Sequence, residues 1–343
     1  MKLKIVCITV LSLAPAGALA GTMAGNPAEP ASPVEIPAGF KLEWPVDCTV
    51  GKTCFIQHYF DRDFGPAAED YMCGTMTYQR HNGVDIRLLS MKDKAAGVNV
   101  LAAAPGTVLR VRDGMEDVSV ATTGREAVRG RECGNGLVVQ NEGKLQTQYC
   151  HMARGSIVVH PGDRVKVGQK LGQVGLSGDT EFPHLHFTVM EEGTSLDPFA
   201  VGEKEGECGG GTSLWDPALK DALAYHAGTV LNAGFATQKL SMADVESGGV
   251  VPPKGTDAPA IVAYVRSIGL RQGDQQRLVV RKPDGSVLIQ QEIVPLDENK
   301  DQYLMLVGRK RPPEGWAAGT YAAEYTVTRD GKTVVEKSFS FQF

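Results

Sequence analysis

Pro183-His184-Leu185-His186-Phe187 sets two imidazoles at i and i+2 among apolar residues. On a β-strand that spacing puts both rings on one face. Upstream, His81-Asn82-Gly83-Val84-Asp85 supplies a third imidazole and a carboxylate four residues apart, and His151 stands alone between the two segments. Zinc in a hydrolytic site is held by three protein ligands with one position left for water. That water becomes acidic enough to act as a nucleophile near neutral pH while the ion polarises the scissile carbonyl. His81, Asp85 and His186 offer such a set, two nitrogens and one oxygen. The chemistry also needs groups that move protons and hold an oxyanion, and His151 and His184 are suited to it. Taken singly, each histidine reads as an ordinary satisfied polar residue; the weight lies in the combination and its order.

The elements that would carry these residues are strands. Gly83 places the first pair on a turn leading into a strand, unlike the helical His-Glu-x-x-His of other zinc peptidases. Short strand-like runs follow at 98–103, 107–112, 136–141, 144–150, 163–167, 170–175 and 184–190, separated by Gly-containing turns such as Pro105-Gly106 and Glu142-Gly143. Their close spacing predicts an antiparallel sheet folded on itself. Residues 113–132 lack an apolar period and read as a polar inserted loop, and 40–74 as an irregular approach. The acids there (Asp61, Asp63, Glu69, Asp70) read as solvated or capping groups rather than ligands. Beyond a Gly/Glu-rich stretch, strand patterns return at 260–265, 277–281, 286–294, 303–307, 321–328 and 333–343, with Lys282-Pro283-Asp284-Gly285 and Arg329-Asp330-Gly331-Lys332 as hairpin turns. The expected fold class is all-β: a compact antiparallel sheet domain and a C-terminal β-sandwich of immunoglobulin-like size without the Cys-Trp-Cys pattern. The expected boundaries are 1–20 signal peptide, 21–38 flexible leader, 39–201 sheet domain, 202–215 linker and 216–343 sandwich.

The signal peptide is read from Lys2 and Lys4, the apolar run from Ile5 to Leu13 and Ala18-Leu19-Ala20 as cleavage site. Export to the periplasm or outside the cell is therefore expected, with no transmembrane anchor. Removal of Cys7 leaves Cys48, Cys54, Cys73, Cys133, Cys150 and Cys208, an even set suited to disulfides. No Cys-x-x-Cys pair suggests a thiolate metal site. A hairpin over 136–150 favours pairing Cys133 with Cys150, and the other pairings stay open. The formal charge of the 343-residue chain is −5, more negative without Lys2 and Lys4, which argues against nucleic acid as a partner. Of the remaining histidines, His58 reads as structural with a groove-lining role open, His160 as solvated and His226 as unpartnered. Trp44, Tyr59, Phe60 and Tyr78 suit either a groove or packing around disulfides, and Trp316 reads as core.

Residues 45–200 resemble the lysostaphin-type, or LytM-type, zinc metalloendopeptidases that cut peptidoglycan peptides. The marks, in the family's order, are His81-Asn82-Gly83-Val84-Asp85-Ile86, Ala103-Ala104-Pro105-Gly106-Thr107-Val108, Gly134-Asn135-Gly136-Leu137-Val138-Val139, Gln148-Tyr149-Cys150-His151-Met152, Gly162-Asp163-Arg164-Val165, Gly168-Gln169-Lys170-Leu171-Gly172 and Pro183-His184-Leu185-His186-Phe187. The resemblance implies Zn2+ on His81, Asp85 and His186, His151 and His184 as catalytic histidines, and peptidoglycan peptide stems or cross-links as substrate. Asp179-Thr180-Glu181-Phe182, Met152 and the 113–132 insertion depart from the family pattern and imply a reshaped groove. Two rivals remain at this level: a non-catalytic LytM-like activator of other wall hydrolases, against which the complete ligand set counts, and a zinc peptidase acting on Gly-rich proteins.

Overall fold

A computed structural model describes residues 34–343 apart from Phe64 and Glu205. The expected signal peptide and residues 21–33 of the expected leader lie outside the described residues. In chain order the elements are β1 (Cys54–His58), β2 (Val84–Leu88), α1 (Met91–Ala96), β3 (Asn99–Leu101), β4 (Gly106–Arg112), α2 (Val120–Thr123), β5 (Asn135–Gln140), β6 (Leu145–Met152), β7 (Arg164–Val165), β8 (Lys170–Gln173), β9 (His184–Glu191) and β10 (Thr194–Leu196). They continue with β11 (Thr229–Ala236), α3 (Met242–Ser247), β12 (Ala260–Leu270), β13 (Gln275–Arg281), β14 (Val287–Ile293), β15 (Lys300–Lys310), β16 (Thr320–Arg329) and β17 (Lys332–Gln342).

The fold is nearly all β, as the patterning predicts. An eight-stranded antiparallel sheet runs β1-β2-β9-β6-β5-β4-β7, with β10 paired to β9. Alternation sorts β9 cleanly. Leu185, Phe187 and Val189 enter the core, facing Ile86 and Val84 of β2 and Tyr149 of β6, while His184, His186 and Thr188 take the other face. A three-stranded sheet (β11-β12-β15) and a four-stranded sheet (β14-β13-β16-β17) share a second core around Val265, Leu278, Tyr325 and Trp316. Leu214 and Trp215 pack into the first core, Trp215 against Phe187 and Phe199. Among the described residues no helix is long and apolar enough to cross a membrane.

Three departures from the sequence reading have physical causes. Residues 40–74 are not wholly irregular: β1 pairs with β2, but its five residues are all buried, so no alternation betrays it. Helix α1 interrupts the β-rich stretch. It is capped by Ser90, whose hydroxyl accepts from the Asp93 N–H, and closed by Gly97 in the left-handed region. Asp61 and Asp70 follow the capping rather than the solvated alternative and are buried. Asp61 accepts backbone N–H groups of Asp63, Glu69 and Arg80, and Asp70 those of Met72, Gly74 and Met76. They organise the loop and hold no ligand position. Disulfides join Cys48 to Cys54, Cys73 to Cys208 and Cys133 to Cys150, the last being the pair favoured by the hairpin.

One buried acid sets a pH limit on this fold. Asp197 lies beside Arg62, whose Nε is 3.1 Å from Glu203. Burial pushes the Asp197 carboxyl up to about 7, opposed by the Phe199 N–H and Arg62 and aided by Glu203. A raised folded-state value means that its stabilising contribution is complete below the unfolded carboxyl value of about 3.9 and is lost as pH rises through about 7. Urea unfolding between about pH 4 and about pH 8 should therefore show wild type losing a few kcal/mol relative to Asp197→Asn. An unchanged difference across that range contradicts the burial argument.

Candidate metal centre

Strand pairing lines up His58, Asp85, His186 and Cys150 in one row across β1, β2, β9 and β6. Cross-strand partners share a face of the sheet, so the row presents two imidazoles and a carboxylate together. His184 lies two residues along β9, opposite Arg87. His81 enters from the turn before β2. Gly83 is required there, because a Cβ would lie 2.6 Å from the Phe187 carbonyl and 2.8 Å from His186 Nε2.

His151 could not reach this face by simple alternation, since Cys150 already occupies it. A bulge in β6 solves the problem: Leu137 pairs with Tyr149 but Asn135 with Met152, so two residues oppose Gly136. His151 adopts φ 62° in the bulge. Its N–H donates to the Cys133 carbonyl (2.8 Å) and its carbonyl accepts from Gly175 (2.9 Å). The Cys133–Cys150 disulfide ties the same turn.

The five residues meet. His81 Nε2 is 3.1 Å and His186 Nδ1 2.9 Å from Asp85 Oδ1, and those nitrogens are 3.1 Å apart. His184 Nε2 lies 3.3 Å from the same oxygen, and the His151 and His184 rings are 4.6 Å apart between centroids. The outer nitrogen of each ring is already committed. His81 Nδ1 donates to the Tyr59 carbonyl (2.6 Å), His151 Nδ1 to the Ser177 carbonyl (2.7 Å) and His184 Nδ1 to the Phe182 carbonyl (3.0 Å). His186 Nε2 donates to Asn82 Oδ1 (3.1 Å), with Thr188 Oγ1 at 3.0 Å. A neutral imidazole has one N–H, so the inner nitrogens carry lone pairs. Lone pairs of His81 Nε2, His186 Nδ1 and Asp85 Oδ1 thus face one another with no hydrogen between them, all within 4.8 Å. That arrangement fits a cation, and the outward N–H to oxygen contacts are those that orient metal-ligating imidazoles.

Electrostatics agree. Burial would raise the Asp85 carboxyl, but the surrounding His81, His184 and His186 rings hold it well below the usual carboxylate range. Burial, then His184 and His186, push His151 well below the usual imidazole range, leaving it neutral. Burial also lowers His186, against the pull of Asp85. Burial would lower His81 too, yet Asp85 outweighs it and raises it.

Sequence reasoning undervalued His58. Its Nδ1 donates to Asp85 Oδ2 (2.9 Å), fixing the carboxylate oxygen that the other rings leave free. Its position at the end of the Cys54–His58 apolar run was the available signal. Tyr78, half-exposed, packs 4.5 Å from the His81 ring and suits a groove wall, whereas Tyr59 and Phe60 are buried. His160 is exposed beside Asp163, and His226 lies near Tyr59 and Met76.

Residues 79–198 match peptidase family M23. The chain is 38% identical over 64 residues to the peptidoglycan DD-endopeptidase ShyB of Vibrio cholerae, covering 19% of this chain and 15% of that protein. It is 35% identical over 88 residues to the glycyl-glycine endopeptidase ALE-1 of Staphylococcus capitis, covering 24% and 23%. The chain thus spans less than a quarter of either relative's length. The solved catalytic domain of lysostaphin from Staphylococcus simulans is 21% identical, covering 46% of this chain and 89% of that one, with a TM-score of 0.27.

Two departures in the M23 segment prove to be one unit. The insertion supplies the Val120 N–H to the Thr180 carbonyl (3.0 Å) and Arg125 to Asp179 (3.2 Å). Thr180 in turn sets its hydroxyl 3.0 Å from His184 Nδ1. The loop before β9 is therefore held by the insertion.

Replacing Cys133 and Cys150 together with Ser should release the bulge. Unfolding free energy is expected to fall by roughly 2–4 kcal/mol, and the His151 amide should exchange with solvent faster than the amides of β9. Equal protection of His151 in both proteins would show that the bulge does not depend on the disulfide.

Proposed function

We propose that this chain is an exported zinc-dependent endopeptidase that hydrolyses peptide bonds in bacterial peptidoglycan. The observation that carries the reading is the convergence of three lone pairs from His81, Asp85 and His186, each aimed by a second contact on its far side. Two imidazoles and a carboxylate suit zinc, and three ligands leave a position for water. When bound, zinc supplies Lewis acidity, making water a nucleophile near neutral pH and a carbonyl more electrophilic. The chain's own residues do the rest. The His151 and His184 rings lie 4.6 Å apart beside the ligand set, and through Nε2 either can take a proton from the attacking water and return it to the leaving amine. Their Nδ1–H bonds to the Ser177 and Phe182 carbonyls hold them in the tautomer this requires.

The substrate class rests on the relatives. One is named a peptidoglycan DD-endopeptidase and the other a glycyl-glycine endopeptidase, which supports peptide bonds of peptidoglycan stems or cross-links as the substrate class of this chain. In this reading residues 39–201 form the catalytic domain, 202–215 a linker whose Leu214 and Trp215 pack into its core, and 216–343 a sandwich packed against it, and the protein is periplasmic or secreted.

Mass spectrometry of soluble products from purified peptidoglycan treated with zinc-loaded protein should reveal newly freed peptide termini and intact glycan strands. His186→Ala should contain no stoichiometric zinc and release no products; full activity in that variant would refute the proposed centre. His184→Ala should keep its zinc and lose about 10²–10⁴-fold in rate. His58→Ala should weaken zinc affinity by about 10–100-fold, read by competition with a chelating dye. Zinc-loaded wild type that leaves peptidoglycan intact yet stimulates another wall hydrolase would instead favour the activator reading.

A further inference from the structure

Arg87 is fully buried on the face that carries the metal centre, opposite His184 in the β2–β9 ladder. A buried guanidinium with no counter-charge is costly. The carboxylate that meets Arg87 comes from far along the chain: Glu246 on α3 sets one oxygen, Oε2, between Arg87 and Arg266. Arg87 Nη1 also donates to Gln57 Oε1 (2.5 Å) and to Gln302 Oε1 of β15 (3.2 Å). Arg266 is anchored in turn by the Leu89 carbonyl (2.5 Å) and Asn232 Oδ1 (2.8 Å). The end of β2 is thereby clamped to α3, β12 and β15.

The clamp reaches the proton-handling side. The Arg87 guanidinium lies 4.1 Å from the centroid of the Phe182 ring, within cation–π range. Phe182 stands two residues before His184. Its ring packs 4.8 Å from the imidazole, and its carbonyl accepts the Nδ1–H that sets the His184 tautomer. Each link from Glu246 to His184 is a direct contact, and none includes a metal ligand.

We propose that Glu246 is a positioning residue for His184, acting through Arg87 and Phe182, so that the α3 segment completes the proton-handling half of the site. The catalytic consequence rests on the peptidase reading, whereas the orientation of the imidazole can be observed without any turnover. Without Glu246, Arg87 has no carboxylate partner and is drawn toward water or toward other acceptors. The Phe182 ring then loses its cation, and the loop that carries the Phe182 carbonyl is free to shift. Small displacements of a proton-transfer group can cost up to about 100-fold in rate.

The test uses the full chain, zinc-loaded and labelled with ¹⁵N-histidine. The Nδ1–H signals of His81, His151 and His184, each bonded to a carbonyl, serve as three local reporters. In Glu246→Gln the His184 signal should broaden or shift while those of His81 and His151 persist. Phe182→Leu, at a partly exposed position that puts less of the fold at risk, should produce the same change and decides the matter if Glu246→Gln fails to fold. The double variant should add nothing further, because both act on one path. Zinc content should stay stoichiometric, with kcat down about 10–100-fold and KM within about twofold. An unchanged His184 signal in the folded variants, or equal disturbance of all three signals, overturns the proposal. Should wild type cleave no peptide while the His184 signal responds selectively, the peptidase reading fails and the positioning role stands.

Discussion

The structure depends on one carboxylate. Asp85 Oδ1 is shared by His81, His184 and His186, and Oδ2 is held by His58. A buried carboxylate among four imidazoles would be unstable as isolated charges, but it becomes the natural centre of a cation site once every outer N–H has an oxygen to satisfy it. The surrounding backbone is arranged to meet that condition. The carbonyls of Tyr59, Ser177 and Phe182 each accept from a different ring, the first from the connection between β1 and β2 and the other two from that between β8 and β9. The loops are therefore as much a part of the centre as the strands.

Strand register does the coarse positioning and local irregularity does the fine positioning. Pairing of β2 with β9 is enough to bring Asp85 beside His186 and Arg87 beside His184. His151 needs a different device, because regular alternation would send it into the core. The bulge, the left-handed backbone and the neighbouring disulfide together turn it outward. Strain of this kind is tolerated where the surroundings over-determine it.

The coarse design was legible in the sequence for the same reason that it is robust. A period of two in His184-Leu185-His186 and Gly83 between His81 and Asp85 each have a single simple structural consequence, and the fold realises both. The hairpin likewise announced the Cys133–Cys150 pair. His58 was harder to read, because it lies on a strand covered on both faces that shows no alternation. Helix α1 was readable from Ser90 and Asp93, a cap signature overshadowed by the β-rich text on either side. The links of Arg87 to Glu246 and of Arg125 to Asp179 span 159 and 54 residues, and only the folded chain brings such partners together. Long-range ion pairs leave no periodic trace, so a single sequence carries no sign of them.

The central claim is that His81 Nε2, Asp85 Oδ1 and His186 Nδ1 together hold one zinc ion, with His151 and His184 beside it but not bound. Anomalous diffraction at the zinc absorption edge from crystals of the zinc-loaded protein tests this most directly. The account predicts one peak at bonding distance, about 2.0–2.2 Å, from those three atoms and from no other protein atom. A peak bonded to His151 or His184 instead, or no peak at this position in protein that contains zinc, would contradict it.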